Sequence, residues 1–211
     1  MKYNLHTHHY TNNDEVVELV NQYPKEVDLS LPSISIGIHP WYINEETWQD
    51  ELLLIEKYIE IPQVLALGEC GLDKRIDQPI EMQKKVFEAQ LILAEKYKKP
   101  VVLHCVAAYQ ESIAIKKDLK ISVPLIIHGF SKNYQVAKSL LDQGFYISFG
   151  KYLLRNPELS DVFKKMPLDQ IFLETDMMEE TIFDVYQKAE NILGSSIEMQ
   201  IERNFNHVFN Q

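Results

Sequence analysis

The sequence predicts an α/β protein, because short apolar segments alternate with longer amphipathic segments along its 211 residues. The segments PVVLH (100–104) and PLIIH (124–128) are apolar up to a final histidine, as expected of parallel strands covered on both faces. Repeated strand–helix alternation favours a compact (β/α) barrel of the TIM type. An open doubly wound sheet is the alternative. It is less well supported, because LHTHHYTNND (5–14) lacks the glycine-rich phosphate turn expected after a first strand.

Each predicted strand is a short apolar or β-branched run bounded by polar or turn residues. The strands are Tyr3–Leu5, Val27–Leu31, Ser33–Ile38, Val64–Gly68, Val101–Leu103, Pro124–Ile127, Phe145–Phe149 and Gln170–Leu173.

Helices are predicted where apolar residues recur on one side of a helical turn, as in QKKVFEAQLILA (83–94). The helices are Asp14–Gln22, Glu45–Ile59, Glu81–Tyr97, Tyr109–Asp118, Tyr134–Asp142, Pro157–Lys164, Thr181–Leu193 and Ile197–Phe209. No repeat or linker interrupts the pattern, so one domain is expected over residues 1–211.

The composition is that of an ordinary globular protein, with 45% hydrophobic and 25% charged residues. No apolar run approaches the ~20 residues of a membrane span, and no membrane association is expected. Two cysteines do not make a disulfide framework, so a cytoplasmic location is expected. The net charge of −10 disfavours a protein held on nucleic acid by surface electrostatics alone. It remains compatible with an enzyme that handles phosphate at one site through metal ions.

Titratable residues follow or end most of the predicted strands. In chain order they are His6, His8, His39, Glu69, His104, His128, Glu174 and Asp176. Active sites of α/β barrels collect where the carboxyl ends of the strands and their loops converge. The sequence therefore predicts a functional site built from these side chains.

A divalent metal explains such a set, because buried histidines and carboxylates are costly unless they are paired or bind an ion. His6 and His8 lie two apart on one strand and therefore point to the same face. Four histidines and two carboxylates from this set already exceed the needs of one ion and suit two ions bridged by a carboxylate and a water. The ions could be zinc, manganese, magnesium or nickel, since mixed imidazole and carboxylate sites accept each of them.

Simpler interpretations compete at single positions. A lone histidine at a strand end is more often a hydrogen-bonded structural residue, and only the joint placement of the set favours a metal. His9 should point away from the pair, and His207 should lie on the surface of a helix. Cys70 and Cys105 are expected to pack as small apolar side chains. The aromatic pair in HPWY (39–42) fits loop packing or the lining of a substrate pocket.

The motifs HTH, GIHP, GECGLD, VVLHC, IIHGFS, ISFG and LETD occur in this order between residue 3 and about residue 176. The ordered set resembles the TatD-like metal-dependent deoxyribonucleases, a family among the amidohydrolase-type barrel hydrolases. The sequence differs from the family pattern at a few positions next to these motifs. Asn4 stands where an aspartate is usual, Val106 and Ala107 replace polar residues, and Met177 and Met178 replace Ser-Pro.

The resemblance implies a two-metal hydrolase. His6, His8 and Asp176 would hold one ion, Glu69 would bridge, and His104 and His128 would hold the second ion. His39 would lie near the site.

The resulting hypothesis is metal-assisted hydrolysis of phosphodiester bonds in DNA by a metal-bridged water. Asp176 would be the general base and Glu174 would orient a histidine ligand. Nucleic acid is expected only as substrate, with no obligatory protein partner. One alternative is a two-metal hydrolase of a small-molecule ester or amide, and another is a non-catalytic metal-binding barrel.

Overall fold

The computed structural model describes residues 1–209, and within them eight strands form one sheet in sequence order. The strands are β1 (Lys2–Thr7), β2 (Val16–Gln22), β3 (Ile34–Ile36), β4 (Val64–Asp73), β5 (Val101–Val106), β6 (Leu125–Ile127), β7 (Phe145–Phe149) and β8 (Ile171–Leu173). The pairs β1–β2, β3–β4, β4–β5 and β7–β8 are parallel. An isolated parallel bridge joins Thr7, at the end of β1, to Asp176, just after β8.

Helices follow most strands from β3 onward. They are α1 (Trp48–Tyr58), α2 (Ile80–Tyr97), α3 (Tyr109–Asp118), α4 (Tyr134–Leu141), α5 (Lys151–Arg155), α6 (Pro157–Phe163), α7 (Ile182–Leu193) and α8 (Glu198–Phe209), with 3-10 turns at Pro40–Tyr42 and Leu168–Gln170. Parallel strands in sequence order confirm the predicted (β/α) barrel class. They also exclude a doubly wound sheet, in which the strand order reverses.

Two predicted elements are wrong. The segment predicted as the helix Asp14–Gln22 contains β2, because Val16, Val17 and Val20 are β-branched and prefer extended backbone. Glu18 looked like the polar side of a helix, but it is buried in the strand and accepts hydrogen bonds from Thr11. The predicted strand Val27–Leu31 is instead a largely exposed loop, where Asp28 Oδ1 accepts the Ser30 amide in an Asx turn.

Two strands that contribute to the site run further than predicted. β4 continues to Asp73 instead of ending at Gly68, and β5 continues to Val106 instead of ending at Leu103. Glu69 and His104 therefore lie within strands rather than in the loops after them. The short helix α5 was not predicted.

The chain divides into two compact units. The terminal unit comprises residues 1–20 and the chain from Ile127 onward, and the central unit comprises residues 21–126. The prediction of one domain over 1–211 stays a prediction, and residues 210 and 211 lie outside the described residues. Among residues 1–209, no helix has both the length and the apolar character needed to cross a bilayer.

The core of the terminal unit includes Leu5, Phe149, Phe172 and Tyr186, all buried. The Tyr186 hydroxyl accepts the Tyr3 amide at 2.9 Å, which fixes α7 against the start of β1. In the central unit, α2 buries the face that its spacing predicts. The buried residues are Gln83, Val86, Phe87, Gln90, Leu91, Leu93 and Ala94.

Two glutamines on that face of α2 hold backbone that leads to the site. Gln90 accepts the Ile38 amide at 2.7 Å and donates to the Ile38 carbonyl at 3.2 Å. Gln83 accepts the Asp73 amide at 2.7 Å and donates to the Asp73 carbonyl at 2.9 Å. Both buried side chains are thus satisfied, and α2 fixes the loop before His39 and the end of β4.

Candidate metal centre

Three predicted ligands, His6, His8 and Asp176, lie together in the terminal unit because backbone hydrogen bonds join β1 to the chain after β8. The Asp176 amide donates to the His6 carbonyl at 2.9 Å, and the His8 amide donates to the Asp176 carbonyl at 3.2 Å. Asp176 adopts a left-handed backbone with φ of 54°, a conformation that aspartate tolerates better than most residues. The main chain therefore sets the relative position of the three side chains.

The spacing of the three side chains suits a single ion. His6 Nε2 and His8 Nε2 lie 3.7 Å and 3.6 Å from Asp176 Oδ1. Zinc–ligand bonds of about 2.0–2.2 Å in a tetrahedral site place neighbouring ligand atoms roughly 3.4 Å apart. The side chain of His6 is fully buried and that of Asp176 is 38% exposed, so solvent reaches the group on the carboxylate side.

Asn4, which differs from the family pattern, secures the same junction through its side chain. Asn4 Nδ2 donates to Thr175 Oγ1 at 2.8 Å, and the Thr175 amide donates to Asn4 Oδ1 at 3.0 Å. Both residues are buried. This reciprocal pair ties β1 to the residue that precedes Asp176.

His128 and Glu174 also lie in the terminal unit. His128 Nδ1 is 3.4 Å from Glu174 Oε1, which also accepts the Gly129 amide at 2.7 Å. The His128 ring centroid is 4.4 Å from that of His6. Burial alone would raise the pKa of Glu174, but its hydrogen bond and electrostatic interaction with His128 outweigh burial and lower the pKa. Such a carboxylate partner at Nδ1 is common for histidines that bind a metal ion.

The central unit brings together Glu69, His39 and His104. His104 Nδ1 lies 2.8 Å, and His39 Nε2 3.1 Å, from Glu69 Oε1. The register of β4 against β5 shifts between Leu67 and Cys70, and such irregularities re-aim side chains next to active sites. Potential ligand atoms of these three residues lie within 4.8 Å of one another.

The hydrogen bonds of His39 fix its tautomer. The Trp41 amide donates to His39 Nδ1 at 3.1 Å, so Nδ1 carries no proton. The proton of the neutral ring is then on Nε2, which donates to Glu69 Oε1. In this arrangement His39 orients the Glu69 carboxylate, and its Nε2 is occupied by a proton.

Asp73 belongs to the central group but was not among the predicted site residues. Its Oδ2 lies 3.2 Å from His104 Nε2 and accepts Trp41 Nε1–H at 2.8 Å. Burial alone would raise the pKa of Asp73, but hydrogen bonds from Trp41, the Arg75 amide and His104 lower it. The His104 ring therefore contacts two carboxylates, Glu69 at Nδ1 and Asp73 at Nε2. The sequence signal that could have identified Asp73 is its spacing of four residues from Glu69, because an even spacing within one strand puts both side chains on the same face.

Gly71, between Glu69 and Asp73, allows β4 and β5 to approach closely. Its φ is +141°, and a Cβ atom there would lie 2.1 Å from the His104 carbonyl oxygen. Only glycine combines that backbone conformation with such a contact. GECGLD is therefore both a ligand motif and a packing motif.

The remaining predicted residues lie outside the two groups. His9 is exposed in the loop after β1, and His207 is exposed on α8. Cys70 and Cys105 are buried and form no disulfide, and Cys105 Sγ lies 3.5 Å from Ser112 Oγ of α3. Burial raises the pKa of the Cys70 thiol, which keeps it protonated.

Two cavities, one in each unit, are lined by residues close in sequence to the predicted site residues, and of those residues only His39 lines either of them. The cavity of the terminal unit has a volume of about 510 Å³ and includes His9, Glu18, Met177, Met178 and Phe183 in its lining. The cavity of the central unit has a volume of about 320 Å³. It is lined by Tyr23, Pro24, Lys25, Glu26, Gly37, Ile38, His39, Tyr42 and Glu51.

Comparison with known proteins gives a family match over most of the chain. The profile of TatD-related DNases matches residues 2–202. An uncharacterized metal-dependent hydrolase of Buchnera aphidicola is 33% identical over 147 residues, which cover 68% of this chain and 55% of that protein. A protein of Erwinia tasmaniensis named 3'-5' ssDNA/RNA exonuclease TatD is 34% identical over 147 residues, covering 66% of this chain and 56% of that protein. The chain thus spans little more than half the length of these curated relatives.

Solved structures resemble the whole chain. A TatD homologue from Escherichia coli K12 matches with a TM-score of 0.84 and 21% identity, covering 100% of this chain and 98% of that one. A TatD family hydrolase from Entamoeba histolytica matches with a TM-score of 0.80 and 18% identity, with coverages of 100% and 98%. At these identities the likeness confirms the fold.

Proposed function

This chain belongs to the family of TatD-related DNases, and we propose that it is a metal-dependent hydrolase that cleaves phosphodiester bonds in nucleic acid. The observation that carries the proposal is the group of His6, His8 and Asp176, whose ligand atoms are spaced for one ion. The names of the Buchnera and Erwinia relatives, a metal-dependent hydrolase and an exonuclease, support the same reaction class.

We propose that one divalent ion binds His6, His8 and Asp176, and that a second binds Glu69 and Nδ1 of His104. The roles implied for Glu69 as a bridging ligand, and for His128 as a ligand of the second ion, stay predictions. Zinc, manganese, magnesium and nickel all suit these donors. Bound ions of this kind supply Lewis acidity and lower the pKa of a coordinated water toward neutrality.

The side chains divide the remaining work. Asp176, which is partly exposed, would accept the proton of the attacking water. Glu174 would hold a proton on Nδ1 of His128, and Asp73 would hold one on Nε2 of His104. His39 would orient the Glu69 carboxylate. We further propose a cytoplasmic location, which the two cysteines support because they are buried and form no disulfide.

A small-molecule ester or amide is the second candidate substrate. The cavity of about 510 Å³ favours it, because Met177 and Met178, which directly follow Asp176, line it together with Glu18 and Glu179, and its lining within the described residues includes neither lysine nor arginine. The third glutamate of the lining, Glu180, is paired with Arg155 at 2.8 Å. Such a wall repels a polyanion and accepts neutral or cationic groups.

The test compares substrates and metals on the same protein. A single-stranded oligonucleotide, bis-p-nitrophenyl phosphate, acyl esters and amides would each be incubated with added zinc, manganese, magnesium or nickel. We expect metal-dependent cleavage of the two phosphodiesters, its loss in Asp176→Ala and His104→Ala, and its retention in His207→Ala, which removes an exposed histidine. Cleavage that persists in both ligand variants would refute the proposal, and turnover confined to esters or amides would establish the second candidate. Less than one metal per chain with no turnover would indicate a non-catalytic barrel.

A further inference from the structure

Two large aromatic side chains, Trp41 and Tyr42, are exposed beside the ligand group of the central unit. Trp41 is 55% exposed and Tyr42 is 57% exposed. Both belong to the 3-10 turn Pro40–Tyr42, which directly follows His39. Exposed aromatic side chains that adjoin one another usually mark a binding surface.

The turn holds both rings in fixed positions. Pro40 begins the turn, and His39 caps it by accepting the Trp41 amide. The Trp41 indole N–H is anchored on Asp73 Oδ2 at 2.8 Å. The rings are therefore organised before any ligand binds, which lowers the entropy cost of binding.

The aromatic surface is continuous with the ligand histidines. The Trp41 ring centroid lies 5.1 Å from that of His39 and 5.7 Å from that of His104. The Tyr42 ring centroid lies 5.5 Å from that of His39 and 5.4 Å from that of Tyr23, in the adjacent cavity of about 320 Å³. A group stacked on these rings would sit next to a phosphate that is bound by the ligand group.

The charges around this surface favour a neutral occupant. The cavity lining carries Lys25, Glu26 and Glu51, and Lys25 Nζ is paired with Glu51 Oε1 at 2.7 Å. The lysine is thus neutralised locally, and the surface offers a phosphate little attraction. An aromatic surface without net positive charge suits the planar face of a nucleobase.

We infer that Trp41 and Tyr42, with Tyr23, form a stacking platform for a base of a single-stranded nucleic acid. The inference rests on the proposed function and assigns the side chains that would contact a base of the substrate. Bases in a duplex are already stacked on both faces, so the platform selects single strands or frayed ends. Base–aromatic stacking contributes about 1–3 kcal/mol per base and tolerates any sequence.

Tryptophan fluorescence tests the platform without turnover. The chain has two tryptophans, and Trp48 is buried with 7% exposure. In Trp48→Phe the signal comes from Trp41 alone. A single-stranded oligonucleotide should quench this signal, and an abasic oligonucleotide of the same length should not. Equal quenching by both would show that the backbone, and not the base, is bound, and would overturn the inference.

Variants separate stacking from the hydrogen bond to Asp73. Trp41→Ala and Tyr42→Ala should each weaken binding of a labelled single-stranded oligonucleotide by about 5- to 150-fold and raise KM more than they lower kcat. Trp41→Phe keeps a ring but lacks the indole N–H, so it should retain most of the binding. Leu53→Ala, which removes a 62% exposed side chain from α1 of the same unit, serves as the control and should bind as the wild type does.

The outcomes distinguish the inference from the proposed function. Quenching and weaker binding in the alanine variants, in a protein that cleaves no phosphodiester, would support the platform and refute the proposed function. Nuclease activity together with wild-type binding in Trp41→Ala and Tyr42→Ala would support the proposed function and overturn the platform. A loss in Trp41→Phe equal to that in Trp41→Ala would assign the effect to the Asp73 hydrogen bond and overturn the platform.

Discussion

In the terminal unit, backbone hydrogen bonds between β1 and the chain after β8 set the positions of His6, His8 and Asp176. In the central unit, side-chain hydrogen bonds hold Glu69 and His104: His39 donates to Glu69, and Asp73 accepts from His104. Ligands fixed by main chain should tolerate changes in neighbouring side chains, whereas ligands fixed by a carboxylate–imidazole network should depend on each member. In the terminal unit, His128 is held by the Glu174 carboxylate in the same way that His104 is held by Asp73.

The largest effect is expected from Gly71→Ala, since the added methyl group would meet the His104 carbonyl oxygen at 2.1 Å. We expect the free energy of unfolding to fall by on the order of 4 kcal/mol, measured by chemical denaturation. Gly194→Ala is the matched control, because Gly194 also has positive φ but no atom lies within 4 Å of the added Cβ. It should cost about 1 kcal/mol. Similar losses in the two variants would show that the contact between β4 and His104 is unimportant.

Asp73→Asn should weaken metal binding more than it changes stability. The amide keeps the size of the carboxylate but removes the charge that holds the proton of His104 on Nε2. Loss of such a partner lowers metal affinity by about 10- to 100-fold, which calorimetric titration with Zn²⁺ or Mn²⁺ would detect. Wild-type affinity in Asp73→Asn would mean that the side-chain network does not position the ligand.

Asn4→Ala, in the terminal unit, should lower stability more than it weakens metal binding. It removes both hydrogen bonds to Thr175 in a buried site, at a cost of about 1–3 kcal/mol of unfolding free energy. Metal affinity should change less than in Asp73→Asn, because the backbone bonds between His6 and Asp176 remain. Asn191→Ala, at an exposed position of α7, is the control for stability. A fall in metal affinity as large as that of Asp73→Asn would erase the contrast between the units.

The smallest effect concerns Glu95 of α2, whose carboxylate accepts the Ser122 and Val123 amides ahead of β6. Burial opposes ionisation, but hydrogen bonds from Lys98, Ser122 and Val123 outweigh it and lower the pKa of Glu95 from 4.5 to about 2. A lowered pKa stabilises the fold above pH 4.5, and this stabilisation is lost as the pH falls through about 2.

We expect Glu95 to contribute about 1 kcal/mol, because its side chain is 26% exposed and water screens its interactions. Denaturation of the wild type and of Glu95→Gln between pH 5 and pH 2 measures the difference. The stability of the variant should depend less on pH over this range. Identical slopes would show that side-chain hydrogen bonds to this carboxylate do not stabilise the central unit.

Much of the fold was predictable because its strands are short apolar runs with polar ends. β7 and α3 have the bounds that their sequences predict. β2 was not recognised, because Glu18 breaks the apolar run VVELV in a way that also fits a helix. Its burial depends on Thr11, which supplies hydrogen bonds from an earlier loop. That partnership is not visible in local periodicity.

The candidate site was predictable to the extent that its residues end strands. His6 and His8 follow from alternation on one strand, and Asp176 from its place after β8. Asp73 was missed because the predicted strand ended at Gly68, which hid its shared face with Glu69. The tautomer of His39 depends on the Trp41 amide, a contact that exists only once the turn has formed.

An anomalous scattering map of crystals grown with zinc would test the two ligand groups at once. We predict one peak about 2.0–2.2 Å from ligand atoms of His6, His8 and Asp176, and another at the same distance from Glu69 and His104. In crystals of Asp73→Asn the second peak should weaken while the first persists. A map without a peak at either group, in crystals with saturating zinc, would contradict the assignment of these residues as metal ligands.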